Sequence, residues 1–264
     1  MSALNVKVLG IGLLGPGLPD WTQGAAALRD ASTWVDGPTV VPPPQRLPPT
    51  ERRRAGPVVK VSLVAADQAV AASGLDAAAL PTVFTSSTGE PSNCHALCES
   101  LAAPERLVSP TRFTNSVHNA PGGYWHIAVQ GMAPSTSLAA HDASFGAGLL
   151  EAMTQVTATG APVLLVAADV PYPAPLDAKR PTRDAFGVAL VLAPVAAGGP
   201  SLGLQLVSEA APTVCDHDDL DRLRLGVPAA RALPLLQALA RGGDSAVVME
   251  GLPGLSLALT VTAA

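Results

Sequence analysis

The short stretch AAHDAS, residues 139–144, places Asp142 directly before an apolar run that predicts a buried helix over residues 145–158. A carboxylate in the first turn of a helix can accept hydrogen bonds from free backbone N–H groups and complement the helix dipole. Together with His118 or His141 and the hydroxyl of Ser144, the same carboxylate could instead form a hydrolytic site. The sequence around Asp142 allows both interpretations.

A second cluster of reactive side chains, the sequence CHALC, contains Cys94, His95 and Cys98. We predict that it lies on a helix with Ser92 as its N-cap, ending near Leu101. A zinc site needs about four ligands, and the sequence has no second Cys/His pair at ligand spacing. Cys94 and Cys98 are therefore predicted to be small core residues, and we expect neither a metal nor a cofactor.

The composition narrows the class of protein. Hydrophobic residues make up 48% of the 264 residues and aromatic residues only 3%, so Ala, Val and Leu must build the interior. A net charge of −5, with one basic cluster at Arg52–Arg54, argues against a nucleic-acid partner. Three cysteines are too few for a disulfide framework and favour a reducing, cytoplasmic location. We expect no membrane span and no signal peptide, because glycines interrupt the apolar N-terminal stretch.

The elements that must position these side chains alternate between strand and helix. This alternation predicts an α/β protein with a central, largely parallel sheet. Gly146 and Gly148 lie inside the helix that follows Asp142, and we expect them to allow a close approach of another backbone. The proline-rich segment Val35–Pro57 is predicted to be a surface loop, with a polyproline ligand as the alternative. Cys215 and His217 are predicted to lie alone in an acidic loop.

Hydrophobic periodicity sets the expected bounds of the main elements. Strands are predicted at 6–13, 82–87, 162–170, 184–194, 202–207, 245–250 and 255–262, and helices at 58–72, 92–101, 142–159 and 228–240.

One segment of the sequence resembles a known family. The stretch NAPGGYWHIAVQGMAPSTSLAAHD, residues 119–142, is similar to the part of β-ketoacyl synthases, in the thiolase-like superfamily, that runs from an Asn-x-Pro-Ala-Gly element to the nucleophilic cysteine. Asp142 falls where that cysteine should be. Other segments within about residues 3–195 resemble segments of these synthases that occur in the same order. The resemblance is greatest to short, chain-length-factor-like proteins of aryl polyene and xanthomonadin-type pigment pathways. The matching positions are Asn119, Pro121, Gly123, Ile127, Pro134, Ser137 and Ala139.

The resemblance implies a thiolase-like layered α/β fold. Residues 1–195 would form the N-terminal ketosynthase half, and residues 196–264 would be a truncated C-terminal half packed on the same core. The family's cysteine forms the acyl thioester, and two histidines from its second half promote decarboxylation and condensation. Here the cysteine is replaced and both histidines are missing, so we expect no independent ketosynthase activity.

The resemblance also implies a partner. Chain length factors pair with an active synthase and close its acyl tunnel, so we expect a heterodimer with a full-length β-ketoacyl-ACP synthase, which would bring in the acyl carrier protein. One alternative is an acyl-thioester transferase or hydrolase that uses Asp142 with His118 or His141, and another is a homodimeric scaffold. The residues expected at the partner interface or acyl tunnel are Cys94, Cys98, Phe113, Asn115, His118, Asn119, Tyr124, Trp125, His141 and Asp142.

Overall fold

The computed structural model describes residues 3–263, which form an α/β structure around a single eight-stranded sheet. The strands are β1 (Leu4–Leu14), β2 (Thr82–Thr85), β3 (Ser135–Leu138), β4 (Val163–Asp169), β5 (Phe186–Ala193), β6 (Ser201–Ser208), β7 (Ser245–Glu250) and β8 (Leu255–Thr262). The helices are α1 (Trp21–Arg29), α2 (Pro49–Arg54), α3 (Pro57–Ser73), α4 (Pro91–Ala102), α5 (Pro110–Thr114), α6 (Ala120–Val129), α7 (Ser144–Thr159), α8 (Asp218–Gly226) and α9 (Leu233–Arg241).

The strands are arranged in the order β3-β2-β4-β5-β1-β6-β8-β7. Only the pairs β2–β3 and β2–β4 are parallel, and the other five pairs are antiparallel. The prediction of a largely parallel sheet is therefore wrong. β4 and β5 are apolar throughout because both of their faces are buried, and that pattern does not reveal the direction of the neighbouring strand.

Helices cover both faces of the sheet. On one face, α3 and α6 pack through apolar residues such as Val61, Ala66 and Trp125, and on the other face α7 and α9 contribute Phe145 and Leu236. α3 packs so closely on β1 that a Cβ atom on Gly12 would lie 1.9 Å from the backbone oxygen of Ala65 in α3. The sheet and its two helical layers confirm the predicted α/β class.

The helix after Asp142 begins at Ser144, and a 3₁₀ turn, His141–Ala143, precedes it. A Cβ atom on Gly146 would lie 3.1 Å from the backbone oxygen of Glu250, so the expected close backbone approach is confirmed at this glycine. Gly148 instead faces the side chains of Thr85 and Leu165.

The prediction of an acidic loop around Cys215 and His217 is wrong in part, because this segment contains α8. His217 is the N-cap of this helix and accepts a hydrogen bond from the N–H of Asp219. The first turn also holds Asp218, Asp219 and Asp221, which complement the helix dipole. Cys215, just before the helix, is buried.

Residues beyond 195 continue the same sheet, since β6 pairs with both β1 and β8. The functional boundary at residue 195 stays a prediction. The proline-rich segment is irregular up to Pro48 and then forms α2. It is held to the body of the protein where the N–H of Thr39 donates to Asp184 over 3.0 Å. Among residues 3–263, no helix is long and apolar enough to cross a membrane.

Candidate functional site

Asp142 lies in the 3₁₀ turn before α7 and is bound by arginines. Its Oδ1 accepts a hydrogen bond from Nη2 of Arg180 at 2.6 Å, and its Oδ2 lies 3.9 Å from Nη2 of Arg231. The expectation that Asp142 caps the helix is wrong, because Ala143 holds the N-cap position and Asp142 makes no hydrogen bond to the backbone N–H groups of α7. The carboxylate is neutralised by arginine side chains and not by the backbone of α7.

The pair with Arg231 extends into a chain of alternating charges. Nη1 of Arg231 lies 2.6 Å from Oε1 of Glu250, and Nη1 of Arg224 lies 3.7 Å from the same oxygen. Arg224 also binds Asp221 through Nε at 2.6 Å, and this hydrogen bond holds the pKa of Asp221 below its usual range. Asp142 is thus part of an ion-pair network that extends from Arg180 to Asp221.

Arg180, Arg231 and Glu250 are not among the site residues predicted from the sequence. Arg180 lies 38 residues after Asp142, in the connection between β4 and β5, and Arg231 precedes α9. No local pattern links these positions, so an alignment confined to residues 119–142 could not find them. Glu250 is the last residue of a correctly predicted strand, and the only available signal was an acidic residue at the end of an otherwise apolar segment.

The structure does not bring the hydroxyl of Ser144 into the hydrolytic site considered from the sequence. Ser144 is buried, and its hydroxyl donates to the carbonyl of His141 and accepts from the N–H of Ala140. The ring of His118 contacts the carbonyl of Ser86 through Nε2 at 3.1 Å. His141 is close to Asp142, with 3.6 Å between Nδ1 and Oδ2, but its side chain is 71% exposed. A nucleophilic serine activated by a histidine is therefore not present at this position.

A buried aspartate, Asp169, forms hydrogen bonds with the segments next to the site. Its Oδ1 accepts hydrogen bonds from the hydroxyl of Ser86 and the N–H groups of Ser87 and Thr88, and its Oδ2 accepts from the N–H of Ala229. Burial raises the pKa of Asp169, and the hydrogen bonds from residues 86–88 oppose that rise. Ser87 in turn accepts a hydrogen bond from Arg180 at 2.9 Å, so Asp169 positions the arginine that holds Asp142.

α4 carries Cys94 and Cys98 on its exposed surface, so the prediction that they are core residues is wrong. Pro91 is the only buried residue of this helix, because α4 projects from the body of the protein and packs mainly on α5. Glu90, not Ser92, occupies the N-cap position. Partial burial and the neighbouring Cys98 thiol raise the pKa of Cys94. Within residues 3–263, no group of three His, Cys, Asp or Glu side chains could hold a metal ion.

The remaining predicted residues lie on or under α5 and α6. Phe113 is 65% exposed, whereas Trp125 is 1% exposed and packs in the core beneath α3. Asn115 joins the two helices, since it accepts a hydrogen bond from the hydroxyl of Tyr124 at 2.9 Å. Asn119 lines a cavity of about 260 Å³ together with Tyr124.

Glu90, the N-cap residue of α4, connects this helix to α3. Its Oε2 accepts a hydrogen bond from the N–H of Val58, and burial raises its pKa to about 7. The folded state therefore binds more protons than the unfolded state between pH 4.5 and about 7, so stability should fall as the pH rises through this window. We expect a loss of up to about 3 kcal/mol in the free energy of unfolding, measured by urea denaturation at pH 5 and pH 8.

A Glu90→Gln variant should lack this loss, because glutamine does not titrate. Glu105→Gln is the matched control at an exposed position and should retain the pH dependence of the parent protein. An unchanged slope in Glu90→Gln would contradict the assignment.

Comparison with solved structures finds the same fold in chains from ketosynthase complexes. One belongs to the ketosynthase ApeO in complex with its chain length factor ApeC from Xenorhabdus doucetiae, with a TM-score of 0.75, 23% identity and coverage of 97% of this chain and 99% of that chain. Another belongs to AntDE:AntF, a type II PKS acyl-carrier protein in complex with its ketosynthase bound to the hexaketide, with a TM-score of 0.76, 13% identity and coverage of 100% of both chains.

A third similar structure is the ishigamide ketosynthase/chain length factor, with a TM-score of 0.72, 16% identity and coverage of 98% of this chain and 99% of that chain. A search of curated proteins gives no significant match. The predicted thiolase-like layered fold is confirmed by these ketosynthase structures.

The sequence itself also matches a family. Residues 21–247 match the family described as β-ketoacyl synthase, N-terminal domain. The match covers most of the chain, including residues 119–142. The chain belongs to the β-ketoacyl synthase N-terminal domain family.

Proposed function

We propose that this chain is a non-catalytic, chain-length-factor-like subunit that pairs with a full-length β-ketoacyl-ACP synthase and shapes its acyl tunnel. The pathway would be of the type II polyketide kind that makes polyene or fatty-acid-like chains. The observation that carries the proposal is a ketosynthase fold in which Asp142 is held by Arg180 at 2.6 Å, at the position where the sequence resemblance expects the nucleophilic cysteine.

Asp142 is unsuited to the chemistry of the missing cysteine. A carboxylate is a poor nucleophile toward a thioester and would give a labile anhydride, and pairing with a guanidinium lowers its reactivity further. The family's second-half histidines also have no counterpart here. Only His217 follows His141 in the sequence, and it caps α8.

The partner would bind where the sheet ends. β3 is an edge strand that pairs only with β2 within residues 3–263, and an open edge is a template for pairing with another chain. α6 packs beside it, and Phe113, Val117 and Ile127 on or near α5 and α6 expose about half of their surface or more. Apolar side chains beside an open strand favour a protein interface.

The α4 and α5 segment would face the partner's tunnel. α4 contributes few buried residues to its own chain, so its side chains are available for a second surface. Cys94, Cys98 and Phe113 would then limit the length of the growing acyl chain. The acyl carrier protein would be bound through the complex, in line with the solved complexes that have this fold.

Co-expression with a cysteine-bearing synthase tests the proposed pairing. We expect a one-to-one complex by gel filtration, which should weaken at least about tenfold in a Phe113→Asp, Ile127→Asp variant because charge replaces buried apolar surface. Val195→Asp is the control, since Val195 is similarly exposed but follows β5 in another part of the sheet. A protein that stays monomeric, or assembles only with itself, would rule out the pairing.

The second candidate function is an acyl-thioester transferase or hydrolase that uses Asp142 with His118 or His141. The 3.6 Å separation between Nδ1 of His141 and Oδ2 of Asp142 favours the pair with His141. This candidate predicts thioester turnover by the purified chain alone, lost in Asp142→Ala. An absence of turnover on acyl thioesters would eliminate it.

A further inference from the structure

A cavity lies beside Asp142. It has a volume of about 820 Å³ and is bordered by the 3₁₀ turn at 141–143, the segment 209–212 and the β7–β8 hairpin. A second cavity of about 370 Å³ shares Ala140, Ala143, Gly251 and Leu252 with the first, so one ligand could extend through both. Volumes of this size are typical of small-molecule sites.

The two cavities differ in chemistry. The larger one is lined by Asp142, Glu209, Glu250 and Arg231, whereas the smaller one is lined mainly by alanine and leucine side chains, including Ala147 and Leu150. A ligand that fills both must therefore be an amphiphile, with its polar head beside Asp142 and its chain toward α7.

The charge around the larger cavity defines the head group. Of the three carboxylates that line it, Asp142 is paired with Arg180 and Glu250 with Arg231. Among the described residues, Glu209 makes no hydrogen bond or ion pair, so it carries the uncompensated charge.

We propose that these joined cavities bind an amphiphile with a single positive charge, a primary amine on a hydrocarbon chain. The ammonium group pairs with Glu209 and donates to Oδ2 of Asp142, which accepts no hydrogen bond within residues 3–263. The chain lies between the β7–β8 hairpin and α7, where small residues such as Ala143 and Ala147 leave room for it. This site is independent of the proposed pairing with a synthase.

Calorimetric titration of the purified chain with decylamine, below its micelle concentration, tests the site. We expect saturable binding of one molecule per chain, weaker binding of hexylamine because fewer CH₂ groups are buried, and no competition by decanoate. Glu209→Gln should weaken decylamine binding about fivefold, the change that corresponds to about 1 kcal/mol. This variant should fold normally because Glu209 is exposed and makes no hydrogen bond or ion pair with the described residues.

Glu105→Gln is the matched control, since it removes one exposed carboxylate away from the cavity and should bind decylamine as the parent chain does. Equal binding of decanoate and decylamine would overturn the proposal, and so would undiminished binding by Glu209→Gln. Binding that does not saturate at one molecule per chain would also overturn it.

Discussion

An Asp169→Ala variant is expected to lose about 4 kcal/mol in the free energy of unfolding, measured by urea denaturation at pH 7. The substitution leaves the buried N–H groups of Ser87, Thr88 and Ala229 without their acceptor, and each unsatisfied buried donor costs about 1–3 kcal/mol. It also frees the turn that orients Arg180 against Asp142. The substitution should therefore lower the stability of the fold and also disturb the geometry around Asp142.

Two variants make this prediction specific. Asp169→Asn keeps one acceptor oxygen and should lose less, about 2 kcal/mol. Asp177→Ala removes an exposed carboxylate that accepts only from the N–H of Ala178, and it should change stability by no more than about 0.5 kcal/mol. A loss in Asp169→Ala no larger than that in Asp177→Ala would refute the role of this buried carboxylate.

A Gly12→Ala variant is expected to lose at least about 3 kcal/mol, or to accumulate as insoluble protein. A Cβ atom at this position would lie 1.9 Å from the backbone oxygen of Ala65, so α3 would have to move away from β1. Because a backbone atom cannot rotate aside as a side chain can, the strain spreads through the packing between the helix and the sheet. Thermal and urea unfolding measure the effect.

Gly37→Ala is the matched control, because nothing lies within 4 Å of the added Cβ atom and the residue is in an irregular segment. It should leave stability unchanged or raise it by about 0.5 kcal/mol through the lower entropy of the unfolded chain. Equal stability of Gly12→Ala and Gly37→Ala would show that α3 does not pack on β1 as described.

Local patterns were sufficient for most elements of the fold. Both ends of α3 lie within one residue of the predicted bounds, 58–72, and β7 and β8 have the predicted bounds. Strand direction was not predictable, because β4 and β5 are buried on both faces whether their neighbours run parallel or antiparallel. α8 was missed because an acidic, polar segment is typical both of a loop and of a helix N-terminus.

The candidate site was predictable only where its residues are contiguous. The resemblance over residues 119–142 placed Asp142 at the position of the nucleophile, but its partners Arg180 and Arg231 are brought to it by the sheet. Cys94 and Cys98 were misplaced for a related reason. Small residues on one face of a helix are typical of core packing, and the sequence does not show that α4 projects from the body of the protein.

In the proposed function, another chain performs the chemistry and this one limits the length of the product. The most direct measurement reconstitutes a cysteine-bearing synthase and its acyl carrier protein with and without this chain, and determines the product chain lengths by mass spectrometry. With this protein present, we predict an acyl product of one defined length, and with its Phe113→Ala variant a longer product. Without this protein, we predict products of mixed length or no product. The same products at the same rate without this chain would contradict the account.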